Sequence, residues 1–290
     1  MPGVKPYLEL IRIPGVFTAQ ADILAGALMA GAGLAQCKDL ILLLIITSCL
    51  FSAGMALNDY FDRHIDKVER PSRPIPSGRI AKTSAFGLGM ALLAGGVVLA
   101  VLVNGNSFSI ALVLAVAILA YDGGVKNLAW AGPVNMGLCR YLNLLLGASI
   151  LPLNVELLLI PFLSWLYIFG ITVLSSSEIK GWSPFSVSVC LASIAGVAIS
   201  YWILGRIGIL GEPLGLVLCV VWMTFAMFFP LRLYKKSTPK DYQKAIKWLL
   251  LLLVILDGVL VAGMRSVFAA FLVFLFIFPG GYIAKRFYMT

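Results

Sequence analysis

The chain of 290 residues has little charge, one histidine and five scattered cysteines. Only 12% of its residues are charged, about half of the fraction in a soluble domain, while 61% are hydrophobic. The mean hydropathy is +0.99. Because too few polar side chains are present to cover a soluble surface, the composition excludes an ordinary cytosolic enzyme.

Histidine and cysteine chemistry is also largely excluded. The single histidine, His64, cannot build a His-based metal site or a Ser-His triad. The cysteines show neither metal-ligand spacing nor a disulfide framework.

Long apolar stretches predict an all-α, multi-span transmembrane helical bundle of nine or ten spans around a central cavity. Each stretch is long enough to cross a hydrocarbon core of about 30 Å. We expect one integral membrane domain over residues 1–290. The ten predicted spans are 13–35, 40–58, 83–103, 107–121, 128–150, 157–177, 184–205, 212–234, 245–264 and 266–284.

The basic residues predict the orientation of these spans. Of 22 Lys and Arg residues, 18 fall in segments on one side of the ten-span arrangement and three on the other, and Arg140 falls within a span. The positive-inside rule places the richer side, with both termini, in the cytoplasm. We expect a bacterial inner membrane. Topology and contact with anionic membrane lipid account for the net charge of +9, so no nucleic acid partner is predicted.

The densest polar cluster lies at the predicted cytoplasmic end of the second span. Asn58, Asp62 and Asp66 are spaced i, i+4 and i+8, and Asp59 lies three residues before Asp62. A continuing helix would place these oxygen ligands along one face, where the carboxylates repel one another unless cations lie between them. Oxygen ligands without nitrogen or sulfur favour Mg²⁺, which substrate phosphates usually complete. The pattern therefore predicts a Mg²⁺-bound diphosphate.

A basic, proline-interrupted segment follows at once and contains Arg63, Arg70 and Arg73. Guanidinium groups can bind phosphate oxygens through paired hydrogen bonds, and prolines stiffen the segment that carries them. The alternative stays open that these basic residues only set the membrane topology and pair with nearby acidic side chains.

The fifth span contains an intramembrane charge, Arg140, with Asn135 and Asn143 nearby. An ion within a membrane span is a functional candidate by default, and we expect this face to line the central cavity. An internal ion pair with Asp22 or Asp257 is the alternative.

The cluster and the segment after it form one recognisable motif. Asn58-Asp59-x-x-Asp62-x-x-x-Asp66, followed by Arg70-Pro71-x-Arg73-Pro74-Ile75-Pro76-Ser77-Gly78, resembles the first signature of the UbiA superfamily of intramembrane prenyltransferases. That resemblance implies an all-helical enzyme that uses Mg²⁺. It implies Mg²⁺ ligation and catalysis at the acidic motif, and diphosphate binding by the basic residues. The implied metal ligands are Asn58, Asp59, Asp62 and Asp66, and the implied diphosphate contacts are Arg63, Arg70 and Arg73.

Three further segments are similar to this superfamily: Tyr121 to Lys126, the stretch from Asn135 to Asn143, and a degenerate second acidic motif from Leu174 to Gly181. Tyr121 to Lys126 looks like its Tyr-to-Lys segment, which implies that Lys126 holds the diphosphate and that Tyr121 lies near the reacting carbon. The alternatives are that Tyr121 is an aromatic anchor at the membrane interface and that Lys126 only helps to set the membrane topology. In the second acidic motif, Glu178 replaces the later Asp and Leu174 the earlier one, so one carboxylate is missing. Glu178 is the implied ligand and catalytic residue there. Further diphosphate-binding candidates are Lys180, Asn135, Arg140 and Asn143.

The resemblance implies transfer of a prenyl group from a polyprenyl diphosphate donor to an aromatic or other lipophilic acceptor, through ionisation of the allylic diphosphate. The missing carboxylate motivates an alternative, a non-catalytic carrier or transport protein for a metabolite precursor. Similar features occur in a UbiA-like branch called EboC, linked to export of such precursors. A cation-coupled transporter using Asp22, Arg140 and Asp257 is a third hypothesis.

Overall fold

The computed structural model describes residues 3–180, 182–235 and 237–284, with the backbone alone for 179–180, 281 and 283–284. Every regular element within these ranges is a helix. Two short 3₁₀ helices cover Leu34–Gln36 and Val125–Asn127. The α-helices are α1 Val4–Leu10, α2 Ile13–Ala30, α3 Cys37–Phe61, α4 Arg63–Glu69, α5 Lys82–Ala100, α6 Gly105–Gly123, α7 Ala131–Ala148, α8 Val155–Leu159, α9 Pro161–Ser175, α10 Ser177–Lys180, α11 Pro184–Arg206, α12 Pro213–Arg232, α13 Pro239–Met264, α14 Val267–Phe274 and α15 Ile277–Ala284.

Among the described residues, eight segments are long and apolar enough to cross a membrane: α2, α3 with the 3₁₀ turn before it, α5, α6, α8 with α9, α11, α12 and α13. Helix α7 has 18 residues, but Asn135, Arg140 and Asn143 make it more polar than these eight. Its buried face packs against α2, α6 and α9. The all-α membrane bundle predicted from the sequence is therefore confirmed.

The tenth predicted span, residues 266–284, is not one continuous helix. It consists of α14 and α15, eight residues each, separated by two residues. Eight helical residues extend about 12 Å, so neither helix crosses a membrane alone. Pro279 explains the break, because its ring clashes with the carbonyl of residue i−4, which is Leu275.

Together, α14 and α15 nevertheless run the length of α2. Arg265, just before α14, donates hydrogen bonds of 3.0 and 2.7 Å to the carbonyl of Met29, near the end of α2. Gly280 in α15 lies against Pro14 and Phe17 near the start of α2. The last segment therefore returns along the bundle as two short helices.

Helices α2 and α7 make direct backbone contact through two glycines. A Cβ atom on Gly26 would lie 2.2 Å from the carbonyl oxygen of Leu144, and one on Gly147 would lie 2.3 Å from that of Ile23. Small residues permit this close approach between membrane helices. The crossing brings the polar side chains of α7 against α2.

We call the end of the bundle at which α3 ends the motif end. Although α3 ends at Phe61, the Asp62 amide donates to the Asn58 carbonyl and the Asp66 amide to the Asp62 carbonyl, both at 2.9 Å. The helical hydrogen-bond pattern thus continues into α4. Residues 70–81 then connect α4 to α5 through turns.

Candidate active site at the motif end

A cavity of about 530 Å³, here called the charged pocket, lies at the motif end. Its formal charges cancel, since four basic and four acidic side chains line it. The basic residues are Arg12, Arg70, Arg73 and Arg79, and the acidic residues are Glu9, Asp59, Glu69 and Glu178.

A second cavity of about 210 Å³, here called the apolar cavity, lies between α2, α3, α6 and α7. Along α3 it extends from Asn58 to Thr47, a rise of about 16 Å. Most of its lining is apolar, with Tyr121 and Asp122 also present. Arg12 lines both cavities, so the two spaces adjoin at this residue.

A buried ion-pair cluster borders the charged pocket. Arg73 donates to Asp66 at 2.6 Å and to Asp59 at 3.2 Å, and Arg12 donates to Asp59 at 3.1 Å. The Asp59 and Asp66 side chains are only 3% exposed and that of Arg73 is 8% exposed. Arg73 is therefore a cation shared by two buried carboxylates.

The other two residues of the acidic motif point to α6 and the turn after it. Asn58 donates to Asp122 at 2.9 Å. The Lys126 ammonium lies 2.7 Å from Asp62 and 3.9 Å from Asp122. Sequence reasoning missed Asp122 as a site residue, although it follows Tyr121 directly and precedes Lys126 by four positions.

The expected single ligand cluster is thus not formed in this conformation. No group of three or more His, Cys, Asp or Glu side chains gathers into a metal site among the described residues. The acidic motif is divided instead, because Asp59 and Asp66 pair with Arg12 and Arg73 whereas Asp62 pairs with Lys126. The donor set still suits a hard cation, since Asn58, Asp62 and Asp122 offer oxygen atoms and the Asp62 side chain is 23% exposed.

Glu178 joins the charged pocket from the second acidic motif. Gln243 donates to it at 2.9 Å, and Arg70 lies 3.5 Å from the same carboxylate oxygen. Leu174 is fully buried in the core and offers no oxygen. The side chain of Lys180 lies outside the described residues. Gln243, which sequence reasoning did not identify, follows a polar run at the start of α13.

Among the described side chains, five predicted site residues line neither cavity. Asp62, Asp66 and Lys126 take part in the ion pairs described above, whereas Arg63 and Asn135 make other contacts. Arg63 donates to the Tyr60 carbonyl at 2.9 Å and stacks 4.7 Å from its ring. Asn135 donates to the Ala117 carbonyl at 3.0 Å and so links α7 to α6. The structure places both in local structural roles, away from the charged pocket and the apolar cavity.

The intramembrane arginine pairs with α2. Arg140 donates to Asp22 at 2.9 Å and to Thr18 at 3.0 Å. Asn143 donates to Asp22 at 2.8 Å and accepts from Thr47 at 2.7 Å. The ion pair with Asp22 that the sequence left open is confirmed, and Arg140 and Asn143 also line the apolar cavity as expected.

The helices and the cavities together define a multi-span integral membrane protein with a charged pocket beside an apolar cavity. The model of the UbiA prenyltransferase family matches residues 22–252, which is more than half of the chain. The chain therefore belongs to the UbiA prenyltransferase family, and the resemblance drawn from its motifs is confirmed.

Curated relatives include digeranylgeranylglyceryl phosphate synthases. That of Sulfurisphaera tokodaii is 35% identical over 145 residues, 50% of this chain and 52% of the relative. That of Methanothrix thermoacetophila is 37% identical over 127 residues, 44% of this chain and 48% of the relative. The chain spans about half the length of the curated relatives it matches.

A solved structure of a UbiA homolog from Archaeoglobus fulgidus, bound to GPP and Mg²⁺, has the same fold. It superposes with a TM-score of 0.71 at 16% identity and covers 93% of this chain and 99% of its own.

Proposed function

We propose that this chain catalyses Mg²⁺-dependent transfer of a prenyl group from a polyprenyl diphosphate to an aromatic or other lipophilic acceptor. The observation that carries the proposal is the junction of the charged pocket and the apolar cavity at Arg12. A prenyl diphosphate has one charged and one apolar part, which match these two spaces.

The charge balance of the charged pocket supports a metal requirement. Since its basic and acidic lining residues are equal in number, a diphosphate would add several uncompensated negative charges. Mg²⁺, when bound, neutralises such charge and stabilises the leaving diphosphate. Asn58, Asp62 and Asp122 are proposed to hold one such ion, and Glu178, which lines the charged pocket, to contribute to a second.

The basic side chains then have a direct role. Arg70, whose side chain is 34% exposed, is proposed to hold diphosphate oxygens, and Lys126 to stabilise the charge that develops as the allylic C–O bond breaks. The electron pair of that bond leaves with the diphosphate. Tyr121 presents an aromatic side chain in the apolar cavity, where it can stabilise the allylic cation while apolar neighbours exclude water. The acceptor supplies the electron pair of the new bond and loses a proton.

The acceptor is proposed only as a class. The names of the curated relatives suggest a glyceryl phosphate lipid, and the apolar lining equally suits an aromatic ring with an apolar tail. Both belong in the test. Membrane lipid is the proposed surrounding and the store for prenyl tails.

The distribution of Lys and Arg supports a charged pocket that opens to the cytoplasm, with both termini on that side. The relatives above come from archaea, so the source membrane is proposed only as a cell membrane. A reporter fused to the C-terminus that is active only in the cytoplasm tests this orientation.

The experiment uses the purified chain in lipid nanodiscs, radiolabelled prenyl diphosphates of several lengths, both acceptor classes, and either Mg²⁺ or EDTA. We expect prenylated product and released diphosphate with Mg²⁺ alone. Asp62→Asn should abolish both, whereas Asp39→Asn, at the opposite end of α3, is the matched control and should retain them. Full activity of Asp62→Asn would contradict the proposal. Donor binding without diphosphate release, with every acceptor, would favour the carrier hypothesis.

A further inference from the structure

A second polar cluster lies inside the bundle, outside both cavities. Asp257 on α13 is 0% exposed, and neither of its carboxylate oxygens has a hydrogen-bond partner among the described residues. Beside it lie Asp22 of α2 and Ser164 of α9, both 2% exposed. The Asp22 Oδ1 and the Ser164 Oγ are likewise buried and unpartnered. Four oxygen atoms from three helices therefore lack a partner in one place.

The charges of this cluster do not balance. Asp22 and Asp257 bring two carboxylates, and Arg140 of α7 is the cation that faces them. The Arg140 guanidinium already donates to the Asp22 Oδ2 and to Thr18. One buried negative charge remains, and an uncompensated charge in a membrane interior is strongly unfavourable.

Three ligands could reach such a cluster: a proton, a water molecule or a small metal ion. A proton on Asp257 can be shared with Asp22 while the Ser164 hydroxyl donates to the other Asp257 oxygen, so protonation competes with metal binding and pH dependence separates the two. Water can donate to two oxygens but brings no charge. A monovalent metal ion contacts several oxygens at once and cancels the remaining charge, and hard cations prefer this all-oxygen set.

We propose that Asp22, Asp257 and Ser164 bind one Na⁺-sized monovalent cation and thereby hold α2, α9 and α13 together. The serine hydroxyl is the point that separates this site from a plain acidic pair, since it adds a buried, unpartnered and uncharged oxygen ligand from a third helix. Asp257 and Ser164 line neither the charged pocket nor the apolar cavity, and neither residue has a role in the proposed prenyl transfer.

The test measures retention of ²²Na⁺ and thermal unfolding of the purified chain in nanodiscs, in NaCl or choline chloride at equal ionic strength and several pH values. We expect one Na⁺ bound per chain and an unfolding midpoint that rises saturably with Na⁺. Asp257→Asn, close in shape but uncharged, should lose both effects. Ser164→Ala, which removes one ligand, should weaken Na⁺ binding several-fold.

Thr172→Val is the matched control, because it removes a hydroxyl from the same helix α9 that bonds only within that helix, to the Ile168 carbonyl. Its Na⁺ response should equal that of the unmodified chain. An unfolding midpoint that follows pH but not Na⁺ would show that a proton neutralises the pair and would overturn the proposal. Absence of ²²Na⁺ retention by the unmodified chain would overturn it as well.

Discussion

Replacing Arg73 with methionine should destabilise the protein by about 3–5 kcal/mol, the cost of removing one partner from a buried ion pair. Arg73 lies 2.6 Å from Asp66 and 3.2 Å from Asp59, and all three side chains are at least nine-tenths buried. Asp59 keeps Arg12 at 3.1 Å, whereas Asp66 keeps no other ion-pair partner among the described residues. Most of the cost therefore arises at Asp66.

Because Asp66 depends on Arg73 alone within the described part of the chain, we can predict whether a second substitution, at Asp66, raises or lowers the free energy of unfolding. In the Arg73→Met background, Asp66→Asn should recover about 1–3 kcal/mol, because it removes the carboxylate that lost its cation. In the unmodified chain, the same Asp66→Asn should destabilise, because it breaks an intact pair.

The assay is equilibrium unfolding of the four proteins of this mutant cycle in one detergent. Arg206→Met, at the exposed end of α11, is the control and should change the free energy of unfolding by less than about 0.5 kcal/mol. If Arg73→Met stays within about 1 kcal/mol of the unmodified chain, or if Asp66→Asn adds further loss to it, the ion pairs do not stabilise the motif end and the reasoning fails.

Two further substitutions test the helix crossing and the motif end. Gly147→Ala should destabilise the protein by about 2 kcal/mol or more in the same unfolding assay, because the added Cβ would lie 2.3 Å from the Ile23 carbonyl oxygen. Gly95→Ala is the control and should be neutral or stabilising, since its Cβ meets no atom within 4 Å. Equal effects of the two substitutions would contradict the close crossing of α2 and α7. Lys126→Met should lower kcat/KM for the donor by about 10²–10³-fold in a diphosphate-release assay. Lys38→Met, at the far end of α3, is the control and should leave kcat/KM unchanged. Equal activities of the two variants would remove Lys126 from the proposed site.

The membrane helices could be predicted because a bilayer forces backbone hydrogen bonds to stay within each helix, so length and hydropathy suffice. Even the polar fifth span, predicted as 128–150, is close to the observed Ala131–Ala148. The prediction of one continuous last span was wrong, because hydropathy does not detect the clash of Pro279 with the carbonyl four residues earlier.

The site was predicted less completely, because an acidic motif shows which carboxylates are present but not which basic side chains they pair with. Asp59 and Asp62 are three residues apart, yet one pairs with Arg12 and Arg73 and the other with Lys126. These ion pairs depend on how α2 and α6 pack against α3, and the spacing of residues within one motif does not predict that packing.

The ion pairs at the motif end also bear on how donor and metal would bind in the proposed reaction. A diphosphate alone would enter a charged pocket whose arginines are largely engaged by carboxylates, so its charge would be poorly compensated. A cation alone would have to displace Lys126 from Asp62, which leaves two positive charges close together. When both bind, the displaced Lys126 can turn to the diphosphate and the carboxylates to the cation. Each ligand thus removes the main cost of binding the other, and linkage requires the same enhancement in both directions. Donor affinity in a binding assay is therefore expected to rise with Mg²⁺, and Mg²⁺ affinity to rise by the same factor with donor.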